Sequence, residues 1–144
     1  MFGLIRTRME TPRIIEPIPR NNLKELISPS KERLMIKYLK HPNIVMAKGR
    51  STSLEVLPVY NQLIAQVKSH FESRWKLVFY LHFSVINATT TKLLFDLFKV
   101  LRQAHRDDKK VTVFWVVDEG NEDLYEIGRD FQAFTNFDFQ ITAP

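Results

Sequence analysis

The chain has 144 residues and a formal net charge of +5, with 44% hydrophobic and 26% charged residues. This size and composition suit one globular domain with a single core. The absence of cysteine excludes disulfides, thiolate metal sites and cysteine nucleophiles. No apolar run reaches the roughly 20 residues of a membrane span, and we therefore expect a cytoplasmic protein.

The first thirty residues contain four prolines and show no sustained hydrophobic period. Proline lacks a backbone N–H and interrupts both helices and strands. We therefore expect residues 1–30 to form an irregular arm and residues 31–144 to form the domain.

A strand hairpin is predicted directly after the arm. Ser28 followed by Pro29 is typical of a helix start, but the apolar residues Leu34, Ile36 and Tyr38 alternate, which favours a strand. The turn-forming "HPN" separates them from the β-rich "IVMA". This pattern predicts a β-hairpin over residues 34–48.

The rest of the chain alternates between helical and strand patterns. Apolar residues have helical spacing at residues 56–71, 93–104 and 122–134. Strand patterns occupy residues 74–83, 111–117 and 137–141. In the first of these strands one face is expected to carry Trp75, Leu77, Phe79, Leu81 and Phe83. Because Val78 and Tyr80 add apolar surface to the other face, we expect that strand to be covered on both sides.

The predicted element order is ββαβαβαβ. Strands joined by helices run parallel when the crossovers are right-handed, as nearly all are. The predicted fold class is therefore α/β, a single domain with a mixed β-sheet and helices packed on it. Loops that follow the carboxyl ends of such strands commonly carry function.

The stretch "INATTTK" occupies one of those loops and contains more hydroxyl groups than a helix cap needs. Its residues are Asn87, Ala88, Thr89, Thr90, Thr91 and Lys92. Local chemistry favours a strand-to-helix turn in which one residue caps the helix. The alternative is a phosphorylation switch, because phosphate beside a helix N-terminus is tolerated by the fold and reverses the charge of the surface.

An enzyme is not indicated by the sequence. The four glycines do not form a phosphate loop or a dinucleotide fingerprint. The four histidines are far apart in sequence and lack the spacing of metal ligands. We therefore expect no catalytic residue, no metal and no cofactor.

The acidic run "DEGNEDLYE" precedes the third helix. It does not match a calcium loop, and acids at a helix N-terminus are stabilised by the helix dipole. The same exposed side chains are possible partner contacts: Asp118, Glu119, Glu122 and Asp123.

These segments together resemble the SiaC family of bacterial regulatory phosphoproteins, which are STAS-like domains similar to anti-sigma-factor antagonists. The resemblance rests on "NATTTKLLFDLF", "VTVFWVVDEGNEDLYEIGRDF" and "FDFQI", and extends upstream through "IVMAKGRS". It covers about residues 34–141 and does not include the arm.

The resemblance implies a non-catalytic switch protein. Family members are phosphorylated in the strand-to-helix loop by a cognate Ser/Thr protein kinase and dephosphorylated by a PP2C-like phosphatase. In the best-known system the unphosphorylated form binds and activates a diguanylate cyclase, which raises cyclic di-GMP.

The chain departs from the family pattern at two positions. With Asn87 and Lys92 matched, the family's acceptor threonine falls on Ala88, which has no hydroxyl. Thr89 is therefore the first candidate acceptor and Thr90 the second; alternatively, the protein is a locked form that binds its partner constitutively. Upstream, "GRSTSLEV" lacks the family's usual Pro-Glu-Asn.

A second function from a different class is a basic adaptor that binds nucleic acid through the arm and a set of cations. Those cations are Arg102, Arg106, Lys109 and Lys110. Because basic and acidic residues are interleaved in "RQAHRDDKK", we expect binding to nucleic acid to be unlikely.

Overall fold

The computed structural model describes residues 33–144. In chain order its elements are β1 (Met35–Leu39), β2 (Ile44–Ser51), α1 (Val56–Ser73), β3 (Lys76–Ile86), α2 (Ala88–Arg106), β4 (Lys110–Val116), α3 (Glu122–Phe134) and β5 (Asp138–Thr142). This is the predicted ββαβαβαβ order. The expected irregular arm, residues 1–30, lies outside the described residues.

The five strands form one mixed sheet in the order β1-β2-β3-β4-β5. β1 is antiparallel to β2, and the other neighbouring strands are parallel. Met35 is opposite Lys48 and Leu39 is opposite Ile44, which confirms the hairpin. Each parallel pair is joined by a helix, and the carboxyl ends of β2, β3, β4 and β5 therefore meet at one edge of the sheet.

A single hydrophobic core lies between the sheet and the three helices. Its largest fully buried side chains include Trp115, Tyr60, Phe79, Phe83 and Phe98. Helical spacing explains the buried face of α2, where the apolar residues are Leu93, Leu94, Leu97, Phe98, Leu101 and Ala104. No described helix has the length and apolar character needed to cross a membrane.

The two faces of β3 differ in burial, and the expectation that Trp75 lies on the buried face is wrong. The core contains side chains from alternate residues of β3, such as Leu77 and Phe79, whereas Val78 and Tyr80 lie outside it and are half-buried. The described helices therefore all pack on one face of the sheet. Trp75 does not join the core because it precedes the strand, and it is 62% exposed.

Trp115 of β4 lies at the centre of the contact with α3. Its ring packs against Phe131, with 5.7 Å between the centroids, and its indole Nε1–H donates to the carbonyl of Leu124 at 2.8 Å. Gly128 of α3 lies directly over this ring, and a Cβ atom there would collide with the Trp115 side chain. The close approach of α3 to the sheet therefore requires glycine at this position.

We expect Gly128→Ala to destabilise the domain by about 1–3 kcal/mol, because α3 or the indole must move out of a packed core. The free energy of urea unfolding, followed by tryptophan fluorescence, measures this cost. The exposed neighbour provides a control: Arg129→Ala should change stability by no more than about 0.5 kcal/mol. Equal stability of Gly128→Ala and the wild type would contradict the packing described here.

A buried histidine of α1 is hydrogen-bonded both to β1 and to the start of β3. His70 of α1 is 3% exposed, and its Nδ1 and Nε2 atoms each lie 2.7 Å from a partner, the hydroxyl of Tyr38 and the carbonyl of Lys76. Because a carbonyl only accepts, Nε2 carries the proton and Nδ1 accepts from Tyr38. Burial lowers the pKa of His70, with the Lys76 carbonyl opposing the shift and the charge of Arg74 adding to it.

This lowered pKa predicts a loss of stability in mild acid. In the unfolded chain the imidazole has a pKa of about 6.5, which is above the pKa of folded His70. Protonation therefore favours unfolding. The contribution of His70 is therefore complete above about pH 6.5 and is lost as the pH falls through its folded pKa. Urea unfolding at about pH 7.5 and about pH 5 should show a smaller pH effect in His70→Gln than in the wild type.

The exposed Gln66 of the same helix supplies the control for this experiment, because its side chain does not titrate. Gln66→Ala should keep the wild-type pH dependence of stability. If His70→Gln also kept it, then His70 would not be the group that titrates.

Candidate functional site

The loop between β3 and α2 is organised by the side chain of Asn87. Its Oδ1 atom accepts from the backbone N–H of Thr90 at 2.9 Å, which caps α2. Its Nδ2 atom donates to the carbonyl of Thr52 at 3.0 Å, just after β2. One side chain therefore starts the helix and ties the loop to the neighbouring strand end.

Thr90 is part of a buried chain of hydroxyl groups. Its Oγ1 atom donates to the carbonyl of Ser51 at 2.6 Å and lies 2.8 Å from Ser51 Oγ. Ser51 Oγ is in turn 2.9 Å from the hydroxyl of Tyr60 in α1. Thr90 and Ser51 are both 0% exposed, and burial raises the pKa of Tyr60 to about 12. The candidate acceptor Thr90 therefore has a hydroxyl that is both enclosed and engaged.

The other two threonines have different environments. Thr91 is half-buried, and its hydroxyl donates to the carbonyl of Asn87 at 3.0 Å. Thr89 is exposed, and its hydroxyl makes no hydrogen bond to any residue within 33–144. Ala88 is exposed beside it. Thr89 is therefore the loop threonine whose hydroxyl is open to a modifying enzyme.

The electrostatics at Thr89 suit an added phosphate. Thr89 is the second residue of α2, where the first backbone N–H groups of the helix have no carbonyl partner within it. These groups and the helix dipole favour negative charge. Lys92, three residues later on the same helix surface, is exposed and makes a 3.4 Å ion pair with Asp96. A phosphate on Thr89 would therefore be accommodated without disturbing the core.

The loop between β2 and α1 lies beside this site, since Asn87 bonds to it at Thr52. Leu54 in this loop is 91% exposed, and Leu57 in the first turn of α1 is 47% exposed. The sequence analysis missed this loop as a neighbour of the threonines. The parallel order of β2 and β3 was the available signal, because it brings their carboxyl ends together.

The acidic turn between β4 and α3 contains the predicted contacts Asp118, Glu119, Glu122 and Asp123, and all four are exposed. The turn is anchored by Asn121, which caps α3 through Leu124 N–H at 3.2 Å and donates to the carbonyl of Ser84 at 3.1 Å. Asp118 Oδ1 lies 3.0 Å from His82 Nε2 of β3. Neither the asparagine nor the histidine contact was predicted from the sequence.

The cations of the nucleic-acid hypothesis have different environments. Arg102 lies over the Phe134 ring, 4.5 Å from its centroid, with its Nε atom buried. Arg106 is in the last turn of α2, where a cation is favoured by the helix dipole. Lys109 is half-buried and Lys110 begins β4. These residues lie near the amino end of β4, away from the edge that carries Thr89.

Within residues 33–144 no group of three or more histidine, cysteine, aspartate or glutamate side chains is arranged to hold a metal ion. The loop itself carries an exposed hydroxyl at a helix N-terminus, and the neighbouring loop carries the exposed Leu54.

The fold and the loop define a mixed α/β domain with an exposed hydroxyl where a parallel strand passes into a helix. The sequence pattern of the SiaC family regulatory phosphoproteins matches residues 27–143, and the chain belongs to that family. No curated protein is significantly similar to it in sequence.

Three solved structures have the same fold. One is a chain in the crystal structure of the diguanylate cyclase SiaD in complex with its activator SiaC from Pseudomonas aeruginosa, with 22% identity, a TM-score of 0.74, and coverage of 78% of this chain and 93% of that one. Apo-SiaC from the same organism has 19% identity, a TM-score of 0.69, and coverage of 76% and 90%. A further SiaC structure from that organism has 20% identity, a TM-score of 0.72, and coverage of 78% and 92%.

The different environments of adjacent threonines predict different costs for the same substitution. Thr90→Val should destabilise the domain by about 1–3 kcal/mol, because it leaves the buried Ser51 carbonyl without its donor. Thr89→Val should change stability by no more than about 0.5 kcal/mol. Urea unfolding of the two variants measures the difference, and Thr90→Ser, which keeps a hydroxyl, should recover part of the loss. Equal costs at the two positions would contradict the buried hydroxyl chain.

Proposed function

We propose that the protein is a non-catalytic phosphorylation switch in a partner-switching pathway and that Thr89 is its acceptor. The observation that carries the proposal is the exposure of Thr89 in a loop where Thr90 and Thr91 use their hydroxyls in internal hydrogen bonds. Phosphorylation of Thr90 requires that its hydrogen bonds to Ser51 first be broken. Phosphorylation of Thr89 does not require any hydrogen bond of the described residues to be broken.

The switch acts by changing surface charge. Phosphorylation adds about 1.5 to 2 negative charges beside the first N–H groups of α2, where the fold tolerates them. The neighbouring loop, which is joined to this one through Asn87 and Thr52, carries the exposed apolar side chain of Leu54. A partner that covers both loops must then also desolvate the phosphate, which weakens binding.

The partner proposed for the unphosphorylated form is a diguanylate cyclase. This proposal follows from family membership and from the fold shared with a chain in the SiaD–SiaC complex. A cognate Ser/Thr kinase and a PP2C-like phosphatase would set the state of Thr89. The docking surface consists of the loop from Asn87 to Lys92 together with Leu54, and the acidic turn at Asp118 is a possible second contact.

The phosphorylation site is testable by mass spectrometry of the full chain after incubation with the cognate kinase. We expect one phosphate, mapped to Thr89, and none in Thr89→Ala. Thr89→Val, which keeps the β-branched shape, is a matched control for loss of the hydroxyl alone. The free energy of urea unfolding of Thr89→Glu should equal that of the wild type to within about 0.5 kcal/mol. The same variant should bind the cyclase more weakly.

Two results would redirect the proposal. If the wild type accepts no phosphate but Ala88→Thr does, the protein is a locked form with constitutive binding. If phosphate appears only outside residues 89–91, the loop is merely a capped turn and the proposed switch is wrong.

A further inference from the structure

The end of β3 that leads into the acceptor loop extends beyond its partner strand. The ladder between β3 and β4 runs from Lys76, opposite Lys110, to Leu81, opposite Trp115. β3 itself continues to Ile86, which pairs with Ser51 of β2. Residues 82–86 therefore lie past the ladder with β4, and they connect directly to Asn87.

The acidic turn occupies the edge that β4 leaves. Asn121 Nδ2 donates to the carbonyl of Ser84 at 3.1 Å, and Asp118 Oδ1 contacts His82 Nε2 at 3.0 Å. The Asn121 side chain also caps α3, since its Oδ1 atom accepts from Leu124 N–H. One amide group therefore fixes the start of α3 and the end of β3 at the same time.

Ser84 is the position at which the register of the sheet changes. Phe83 pairs with Gly49 and Val85 pairs with Arg50, so Ser84 is an extra residue in β3. After a bulge the strand alternation is reversed: Val85 is 37% exposed, whereas Ile86 packs against the core. The bulge therefore determines the direction of the backbone where β3 ends and Asn87 begins the loop.

The geometry points to Asn121 as a positioning residue for the acceptor loop, one that holds the Ser84 bulge and so couples the acidic turn to Thr89. The importance of Thr89 rests on the proposed function, but the coupling does not. A partner that binds the acidic turn would change the conformation of the loop that carries Thr89. By the reciprocity of linked equilibria, phosphorylation of Thr89 would change the affinity of that partner for the turn.

Two substitutions remove the bond to Ser84 while keeping a helix cap. Asn121→Asp retains an oxygen that accepts from Leu124 N–H but cannot donate to a carbonyl. Asn121→Ser also retains a cap and adds no charge. Gln132→Glu is the matched control, because Gln132 of α3 makes the same kind of bond, from Nε2 to the Phe139 carbonyl at 2.9 Å, and the change adds the same charge.

Amide hydrogen exchange of the full chain, measured by NMR, reports on the coupling. The Thr90 and Thr91 amides are the probes, because each is bonded to Asn87. We expect their exchange to rise about fivefold in both Asn121 variants, as for loss of one hydrogen bond, and to stay at the wild-type rate in Gln132→Glu. Leu124 N–H should remain protected in all of them.

Unchanged exchange of the Thr90 and Thr91 amides in the Asn121 variants would overturn the inference. So would an equal rise in Gln132→Glu, since that would report general destabilisation. The initial rate of kinase-driven phosphate uptake provides a second measurement, and it should fall about fivefold in the Asn121 variants alone. If no protein, wild type included, takes up phosphate, the proposed function fails while the exchange result still decides the coupling.

Discussion

The carboxyl edge of the sheet depends on hydrogen bonds from two asparagine side chains. Asn87 and Asn121 each cap a helix through Oδ1 and donate through Nδ2 to a carbonyl at the end of the preceding parallel strand, at Thr52 and Ser84 respectively. An amide carries both a donor and an acceptor, whereas an ionised aspartate only accepts. Each asparagine supplies both groups, and the loops of three consecutive crossovers are held as one surface.

Much of the fold follows from hydrophobic periodicity. The hairpin, the three helices and the parallel strands were predicted because apolar residues repeat with the period of each element, and "HPN" marks the hairpin turn. Within the candidate site, the family resemblance ranked Thr89 above Thr90, because Thr89 directly follows Ala88, the position of the family's acceptor. The helical period supplies a further reason, because Thr90 lies three and four residues before the buried Leu93 and Leu94.

The remaining features depend on contacts between residues far apart in sequence. The Ser51 and Tyr60 partners of Thr90 belong to other elements, and nothing in "INATTTK" specifies them. The bulge at Ser84 reverses an alternation that the sequence pattern assumes to be continuous. Trp75 was assigned to the core because its parity matched that of Leu77, but it lies just before the strand begins.

The enclosed hydroxyls beneath Thr89 affect the kind of signal that the loop can carry. Three accessible threonines would permit a mixture of partly modified molecules and a graded change in surface charge. Since the hydroxyls of Thr90 and Thr91 donate internal hydrogen bonds, Thr89 is the loop threonine with a hydroxyl that is exposed and not hydrogen-bonded. In the proposed switch each molecule would therefore carry either one phosphate or none, and the signal passed to a partner would be binary for every copy.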